Sequence, residues 1–253
     1  MNSFRMKMRF ILVTFALLIV SSCTMNGPLV IGHRGAMGHE TENTLASIQK
    51  AMDLGVDMIE IDVFKIKSGE IVVFHDERLE RISNAGGNIE EYNITDLKKV
   101  MLDGNHRIPM LQDVLKLIDN KVRLNIELKG ANTADRVNFI TEYYIKDKGW
   151  TLENFLISSF NWDELKAMRE LNEDMPIAIL TEGDPLEALP IAKELNAEAI
   201  NPSYNKLDQV IADTIKKSGF KIYTWTVNDS KDIDAMKKLK VDGIITNFPE
   251  RVK

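Results

Sequence analysis

Apolar and polar residues follow a recurring order along the chain from about residue 29 onward. Short runs rich in β-branched residues alternate with segments in which apolar residues recur at helical spacing. In residues 43–55, for example, Leu45, Ile48, Ala51 and Met52 fall on one helical face. Eight strands of one sheet are predicted, at residues 29–33, 58–64, 122–128, 155–158, 176–180, 199–201, 221–227 and 243–246.

Repeated strand–helix units imply a parallel sheet, and eight of them in about 230 residues indicate a closed (β/α)8 TIM barrel. An open doubly wound sheet is the alternative, but the glycine-rich turn with which such sheets bind nucleotides is missing from the sequence. The alternation of strands and helices is interrupted between His75 and Pro109. This predicts a small insertion (the excursion) at about residues 76–109, after the second barrel strand. Only seven residues follow Thr246, so the last helix is expected to be short or missing.

The first 22 residues have the order of a secretory signal. A basic start precedes an apolar run at residues 10–20, and small residues then lead to Cys23, the only cysteine. This ending resembles the bacterial lipoprotein signal, in which the chain is cleaved before the cysteine and the cysteine is acylated. An ordinary signal peptide or an uncleaved N-terminal helix is the alternative, although the run is shorter than the roughly 20 residues of a membrane span.

This N-terminal pattern predicts the domain organisation and the location of the protein. We expect a lipoprotein signal peptide at 1–22, an anchor segment at 23–28 and the barrel at 29–253. The protein would cross the inner membrane and be held at the cell envelope by a lipid on Cys23. Loss of residues 1–22 would take three positive charges from a chain of net charge −6 and leave −9. Nucleic-acid binding relies on basic patches, so nucleic acid is not expected as a partner.

The second predicted strand carries two acidic residues on one face. Glu60 and Asp62 alternate with Ile59, Ile61 and Val63, so both carboxylates point to the same side of the strand. Both faces of a parallel barrel strand are buried, and such strands are usually apolar throughout. Two buried carboxylates repel each other and lose hydration, and a bound cation is the simplest compensation.

The third predicted strand repeats this pattern. Asn125, Glu127 and Lys129 share one face, so Glu127 is expected beside Glu60 and Asp62 at the rim where barrel active sites lie. Three carboxylates favour a hard cation, Mg2+ or Ca2+, over zinc. A surface hairpin with solvated charges is the alternative for either strand, but a closed barrel leaves no exposed sheet face.

Two of the four histidines end predicted strands. His33 and His75 flank the carboxylate pair in sequence, and an imidazole, whose ordinary pKa is about 6.5, suits proton transfer. Arg34 can bind a phosphate oxygen with two hydrogen bonds, and Lys129 adds a second positive charge. A metal, two cations and two acid–base groups, without an evident serine or cysteine nucleophile, indicate hydrolysis of a phosphate ester.

Taken in order, these residues match a known family. The chain resembles the glycerophosphodiester phosphodiesterases, which belong to the barrel superfamily that includes the phosphatidylinositol-specific phospholipases C. The similarity covers about residues 30–249. The matching segments are Gly32-His33-Arg34-Gly35, Glu42-Asn43-Thr44-Leu45, Glu60-Ile61-Asp62-Val63, Val73-Phe74-His75-Asp76, Ile108-Pro109-Met110-Leu111, Asn125-Ile126-Glu127-Leu128-Lys129, Ser158-Ser159-Phe160, Tyr223-Thr224-Trp225-Thr226-Val227-Asn228 and Val241-Asp242-Gly243-Ile244-Ile245-Thr246-Asn247.

The resemblance implies a role for each matching residue. Glu60, Asp62 and Glu127 would bind the divalent cation, and Glu42 would belong to the metal site or to its surroundings. His33 and His75 would be the general acid–base pair, and Arg34 and Lys129 would contact the phosphate. Trp225 and Phe160 would form the wall against the glycerol moiety. The expected products are glycerol 3-phosphate and an alcohol.

The resemblance has one departure and leaves other functions open. The family usually has proline before its Glu-Asn-Thr run, and this chain has Thr41, which concerns the shape of the loop rather than the chemistry. The first alternative function is that of a lysophospholipase D, which a wide apolar pocket mouth would favour. The second is a non-catalytic lipoprotein that binds a solute, although a binding protein needs no proton-transfer pair.

Overall fold

Residues 27–253 are described by a computed structural model, and they form nine strands and eight α-helices. The predicted signal peptide and Cys23 lie outside the described residues. The strands are β1 Leu29–Gly32, β2 Met58–Lys65, β3 Ile71–Val73, β4 Arg123–Leu128, β5 Phe155–Ser159, β6 Ile177–Thr181, β7 Ala199–Pro202, β8 Lys221–Thr224 and β9 Gly243–Thr246. The helices are α1 Leu45–Asp53, α2 Ile94–Leu97, α3 Leu111–Ile118, α4 Ala134–Asp147, α5 Trp162–Leu171, α6 Leu189–Glu194, α7 Gln209–Lys217 and α8 Ser230–Lys238.

Eight of the strands close into a parallel barrel. The order is β1-β2-β4-β5-β6-β7-β8-β9, and β9 pairs with β1, so the sheet has no open edge. The predicted (β/α)8 barrel is confirmed, and the open sheet is excluded by the β1–β9 pairing. After β9 the chain forms only the 3-10 turn Pro249–Arg251, as expected for a short or missing last helix.

The predicted excursion after the second barrel strand is built around a hairpin. Strand β3 pairs antiparallel with the end of β2, and the chain then runs through three 3-10 turns and the short helix α2 before α3 begins at Leu111. The excursion has its own apolar cluster, which contains Phe64, Phe74, Leu79 and Ile89. These side chains bury the apolar surface of a segment that has few regular hydrogen bonds, so the excursion is fixed on the barrel rim.

The two faces of each barrel strand are buried in different surroundings. Ile59, Ile61 and Val63 of β2 pack into the large cluster between sheet and helices. The alternate residues point into the barrel, where Met58 belongs to a small apolar cluster and Glu60 and Asp62 follow nearer the C-terminal ends of the strands. An apolar layer that includes Met58 therefore lies inside the barrel below the acidic residues of the rim.

No helix in residues 27–253 is both long enough and apolar enough to cross a membrane.

Gly35, in the loop between β1 and α1, holds that loop close to α1. It has φ +83°, and a Cβ there would lie 2.5 Å from the backbone carbon of Ser47. Gly69, in the β2–β3 turn, has φ +94° but no atom within 4 Å of a Cβ position.

We therefore expect Gly35→Ala to destabilise the protein more than Gly69→Ala. The second change adds only the backbone penalty of a left-handed residue, about 1–2 kcal/mol, whereas the first adds a clash that costs about 1–3 kcal/mol more. Chemical denaturation measures both free energies of unfolding. Equal losses in the two variants would contradict a close contact between this loop and α1.

Candidate active site

A small pocket opens at the C-terminal ends of the barrel strands. Its volume is about 110 Å3, below the roughly 300–1,000 Å3 of ordinary ligand pockets. The lining residues are His33, Arg34, Glu60, His75, Asn125, Glu127, Lys129, Phe160, Leu180, Trp225, Thr226 and Ile245. A larger groove of about 870 Å3 lies at the opposite end of the barrel, beside Gly27 and Lys253, and contains none of the predicted site residues.

Three carboxylates meet beside this pocket. Glu60, Asp62 and Glu127 each offer an oxygen atom, and these oxygens all lie within 4.8 Å of one another. Asp62 and Glu127 face each other across the β2–β4 pair, and Glu60 lies one inward position before Asp62. All three residues are buried, with 1–8% of their surface exposed. The structure thus brings together the three residues that the strand pattern singled out.

The carboxylates are only partly satisfied by neighbouring groups. The backbone N–H of Arg34 donates to Glu60 Oε2 over 2.9 Å, and Asn43 Nδ2 donates to Asp62 Oδ2 over 2.8 Å. Lys129 Nζ lies 3.0 Å from Glu127 Oε1. The other oxygen of Glu60 is buried without any hydrogen-bond partner. A buried oxygen without a partner is costly, and a cation bound between the carboxylates would satisfy it.

Burial and mutual repulsion change the acidity of this cluster. Burial, together with the charges of Asp62 and Glu127, raises the pKa of Glu60 well above its usual value. Burial and the Asp62 charge raise the pKa of Glu127 to about 7, although Lys129 opposes the shift. A group of oxygen donors that resists full ionisation in this way suits a divalent cation, which replaces protons when it binds.

Both predicted acid–base histidines line the pocket, and each is oriented by a partner. His33 Nδ1 lies 2.7 Å from the Asn247 side-chain oxygen, and His75 Nδ1 lies 2.6 Å from Asp76 Oδ1. Both partner oxygens accept, so Nδ1 carries the hydrogen in each ring and Nε2 is left as the acceptor. Burial and the charge of Arg34 lower the pKa of His33 to about 4, so this ring is neutral near pH 7.

Two positive side chains border the carboxylates. Arg34 has φ 50°, a left-handed conformation that non-glycine residues seldom adopt outside special sites. Its Nη1 donates to Glu42 Oε1 over 2.7 Å, and Lys129 Nζ lies 3.4 Å from His75 Nε2. Glu42 is buried outside the group of three, and both of its oxygens accept hydrogen bonds from guanidinium groups.

The other side of the pocket is apolar. The rings of Phe160 and Trp225 meet edge to face, with 5.3 Å between their centroids, and Leu180 and Ile245 complete this wall. Trp225 Nε1 donates to the Asn201 carbonyl oxygen over 2.8 Å, which fixes the indole. Lys129 Nζ lies 5.9 Å from the Phe160 ring centroid, so charged and apolar walls meet at this residue.

The structure also brings in four residues to which the sequence assigned no role. Asn43, Asp76 and Asn247 orient Asp62, His75 and His33, and they lie in segments that carry the family resemblance. Their place in these segments was the signal for them, and Asn43 and Asp76 are also next to candidate residues. The fourth, Arg81, belongs to the excursion, and no periodicity or motif in the sequence marks it.

We expect the stability of the protein in a chelator to depend on pH through Glu127. The usual pKa of this carboxyl is 4.5 and its pKa in the fold is about 7. The protonated carboxyl makes its full contribution to the free energy of unfolding below about pH 4.5. This contribution is lost as the pH rises through about 7, because the carboxyl must then ionise in a buried site that disfavours its charge.

The measurement is thermal or chemical unfolding from pH 4 to 8, with Glu127→Gln for comparison. The amide cannot ionise, so its stability relative to the native protein should grow by about 3 kcal/mol over that range. Adding Mg2+ or Ca2+ at pH 8 should restore the stability of the native protein but should not stabilise the variant. A difference between the two proteins that stays constant with pH would contradict a raised pKa.

Comparison with known proteins places the chain among its relatives. The model of the glycerophosphoryl diester phosphodiesterase family matches residues 33–251. A glycerophosphodiester phosphodiesterase of Caldanaerobacter subterraneus subsp. tengcongensis is 34% identical over 236 residues, which cover 88% of this chain and 95% of the relative. A putative glycerophosphodiester phosphodiesterase of Bacillus subtilis is 30% identical over 233 residues, with 87% and 95% coverage.

Solved structures agree with this similarity. A phosphodiesterase of Oleispira antarctica, in complex with the product sn-glycerol-3-phosphate, superposes with a TM-score of 0.82 at 25% identity, over 89% of this chain and 95% of the other. The family match spans nearly all of the barrel. It includes both histidines and the two strands that carry the three carboxylates. The chain therefore belongs to the glycerophosphoryl diester phosphodiesterase family.

Proposed function

We propose that the protein hydrolyses glycerophosphodiesters to glycerol 3-phosphate and an alcohol, with a divalent cation, Mg2+ or Ca2+, held by Glu60, Asp62 and Glu127. One observation carries the proposal: two oriented histidines and the positive side chains of Arg34 and Lys129 line the small pocket beside the acidic cluster. The Oleispira antarctica relative, whose structure contains the product sn-glycerol-3-phosphate, supports the choice of substrate.

The cation belongs to the acidic cluster because its donors are hard oxygen atoms. The unpartnered oxygen of Glu60 and the raised pKa values of Glu60 and Glu127 mark a cluster whose negative charge is not fully balanced by neighbouring side chains, and a divalent cation would balance it. A divalent cation bound there would neutralise charge on the phosphoryl oxygens. Glu42, whose oxygens accept from two arginines, then belongs to the surroundings of the metal site.

The two histidines divide the proton transfers of the hydrolysis. His33, which is neutral near pH 7, accepts a proton of the attacking water molecule through Nε2. As the water oxygen binds phosphorus, the bond from phosphorus to the leaving oxygen breaks. His75, with a hydrogen on both ring nitrogens, donates the one on Nε2 to the leaving oxygen, which departs as the alcohol. Arg34 and Lys129 lie beside the same pocket and stabilise negative charge on the phosphoryl group.

The small size of the pocket favours glycerophosphodiesters as substrates. About 110 Å3 leaves room for a compact polar group against the wall of Phe160 and Trp225, so the alcohol points to the rim. A lysophospholipase D would need an apolar surface for an acyl chain. The observation that favours this second candidate is the exposure of Phe160, of which 42% is accessible at the rim.

A substrate screen with metal add-back tests the proposal. The protein should release glycerol 3-phosphate from glycerophosphocholine, glycerophosphoethanolamine, glycerophosphoglycerol or glycerophosphoinositol, lose activity in chelator, and regain it with Mg2+ or Ca2+. Lysophosphatidylcholine is the competing substrate, and its preferred hydrolysis would select the second candidate. Absence of metal-dependent hydrolysis of all of these substrates, including lysophosphatidylcholine, would reject both candidates.

His75→Ala should lower turnover by about 100-fold or more, since a positioned proton donor contributes that much. His39→Ala is the matched control, because His39 is an exposed histidine that pairs with Glu250 outside the pocket. Steady-state kinetics with the best diester measures both variants. A near-normal rate in the His75 variant would remove this residue from the mechanism.

We also propose that Cys23 carries a lipid that holds the protein at the cell envelope. The order of basic, apolar and small residues before this single cysteine supports the proposal. Cys23→Ala should release the protein from the membrane fraction and abolish its labelling with a fatty acid analogue. Cys23→Ala protein that stays membrane-bound would argue for an uncleaved N-terminal helix instead.

A further inference from the structure

Arg81 stands out among the residues around the site because it reaches the active-site rim from the excursion. It ends the 3-10 turn Leu79–Arg81, and the side chain of Leu79 is fully buried in the apolar cluster of the excursion. The backbone N–H of Leu79 also donates to the Gly87 carbonyl oxygen over 3.2 Å. The position of Arg81 is therefore set by packing of the excursion and not by the barrel strands.

The guanidinium of Arg81 bridges two carboxylates. Its Nη1 and Nη2 donate to the two oxygens of Glu42 over 2.9 and 2.6 Å, and its Nε donates to Asp76 Oδ2 over 2.5 Å. Glu42 is buried and is also bound by Arg34, so it anchors Arg81 to the loop that follows β1. A planar fork with fixed donors is required for three such bonds, and an ammonium group cannot supply it.

Asp76 passes this constraint on to His75. Its Oδ1 lies 2.6 Å from His75 Nδ1, while its Oδ2 accepts from Arg81. A carboxylate held by one bond alone can rotate, whereas one held at both oxygens keeps the imidazole in one tautomer and one orientation. Arg81 is not among the residues that line the pocket, and its Nε, Nη1 and Nη2 donate to Asp76 and Glu42, so it is connected to the site through these two carboxylates.

We propose that Arg81 is a positioning residue, which acts through Asp76 to keep the hydrogen of His75 on Nδ1 and its Nε2 directed into the pocket. The proposal rests on the proposed function in one respect: the acid–base role of His75. The network Arg34–Glu42–Arg81–Asp76 contains two positive and two negative groups, so it orients the imidazole without adding net charge beside the phosphate. The excursion thereby becomes part of the active site.

Kinetic coupling between Arg81 and His75 is the first test. Arg81→Met should lower kcat for the best diester by about 10-fold or more and change KM by less than about threefold, because it loosens a group that orients a reacting residue. In a His75→Ala background, the same change should lower single-turnover rates by less than about twofold, since its target is gone. Arg81→Lys should recover only part of the loss.

Arg78→Met is the matched control, since Arg78 lies in the same segment and pairs with the exposed Glu80. It should leave kcat unchanged. An Arg81→Met variant that loses as much activity in the His75→Ala background as in the native protein would overturn the proposal. So would one whose melting temperature falls far enough to account for the lost activity.

Nitrogen NMR of the His75 imidazole, assigned with His75→Ala, tests the same proposal without turnover. The native protein should show the Nδ1–H tautomer at pH 8, and Arg81→Met should shift it toward the Nε2–H form, the commoner tautomer of a free imidazole. An unchanged tautomer would overturn the inference. A shifted tautomer in a protein that hydrolyses no diester would support the positioning role and reject the proposed function, so the two failures are distinct.

Discussion

Three carboxylates buried within reach of one another are the constraint on which the rest of this site depends. Ionised acids at such separations repel, and burial removes the water that would screen them. Neighbouring groups partly compensate this negative charge. They are a backbone N–H of the loop after β1, the side-chain amide of Asn43 and the ammonium group of Lys129. One oxygen of Glu60 has no hydrogen-bond partner among the described residues, and a bound cation would complete the compensation.

The closed barrel makes this arrangement possible. Residues of one strand that point inward converge with those of its neighbours, and the β2–β4 register places Asp62 opposite Glu127. The apolar cluster inside the lower half, which includes Met58 and Tyr223, supports the acidic layer from below. The energy of burying acidic groups is thus offset by a barrel whose other interior positions and outer faces are well packed.

Orientation of the reacting groups comes from outside the barrel strands. The loop after β1 supplies Arg34 in a left-handed conformation and Glu42, and the loop after β9 supplies Asn247 beside His33. The excursion supplies Arg81, which ties Glu42 to Asp76. Loops on a rigid scaffold carry function in many enzymes, and here three loops meet over one small pocket.

The alternation of polar and apolar residues along the chain determines much of the architecture of this protein. Period-two patterns in β2 and β4 predicted the inward carboxylates, because a strand has only two faces, and eight strand–helix units predicted the barrel. The contact between Glu42 and Arg81 and the left-handed conformation of Arg34 could not be predicted from the sequence. Local patterns report which face a residue occupies. Only tertiary packing decides which distant residues meet, because residues 39 positions apart, such as Glu42 and Arg81, share no periodicity.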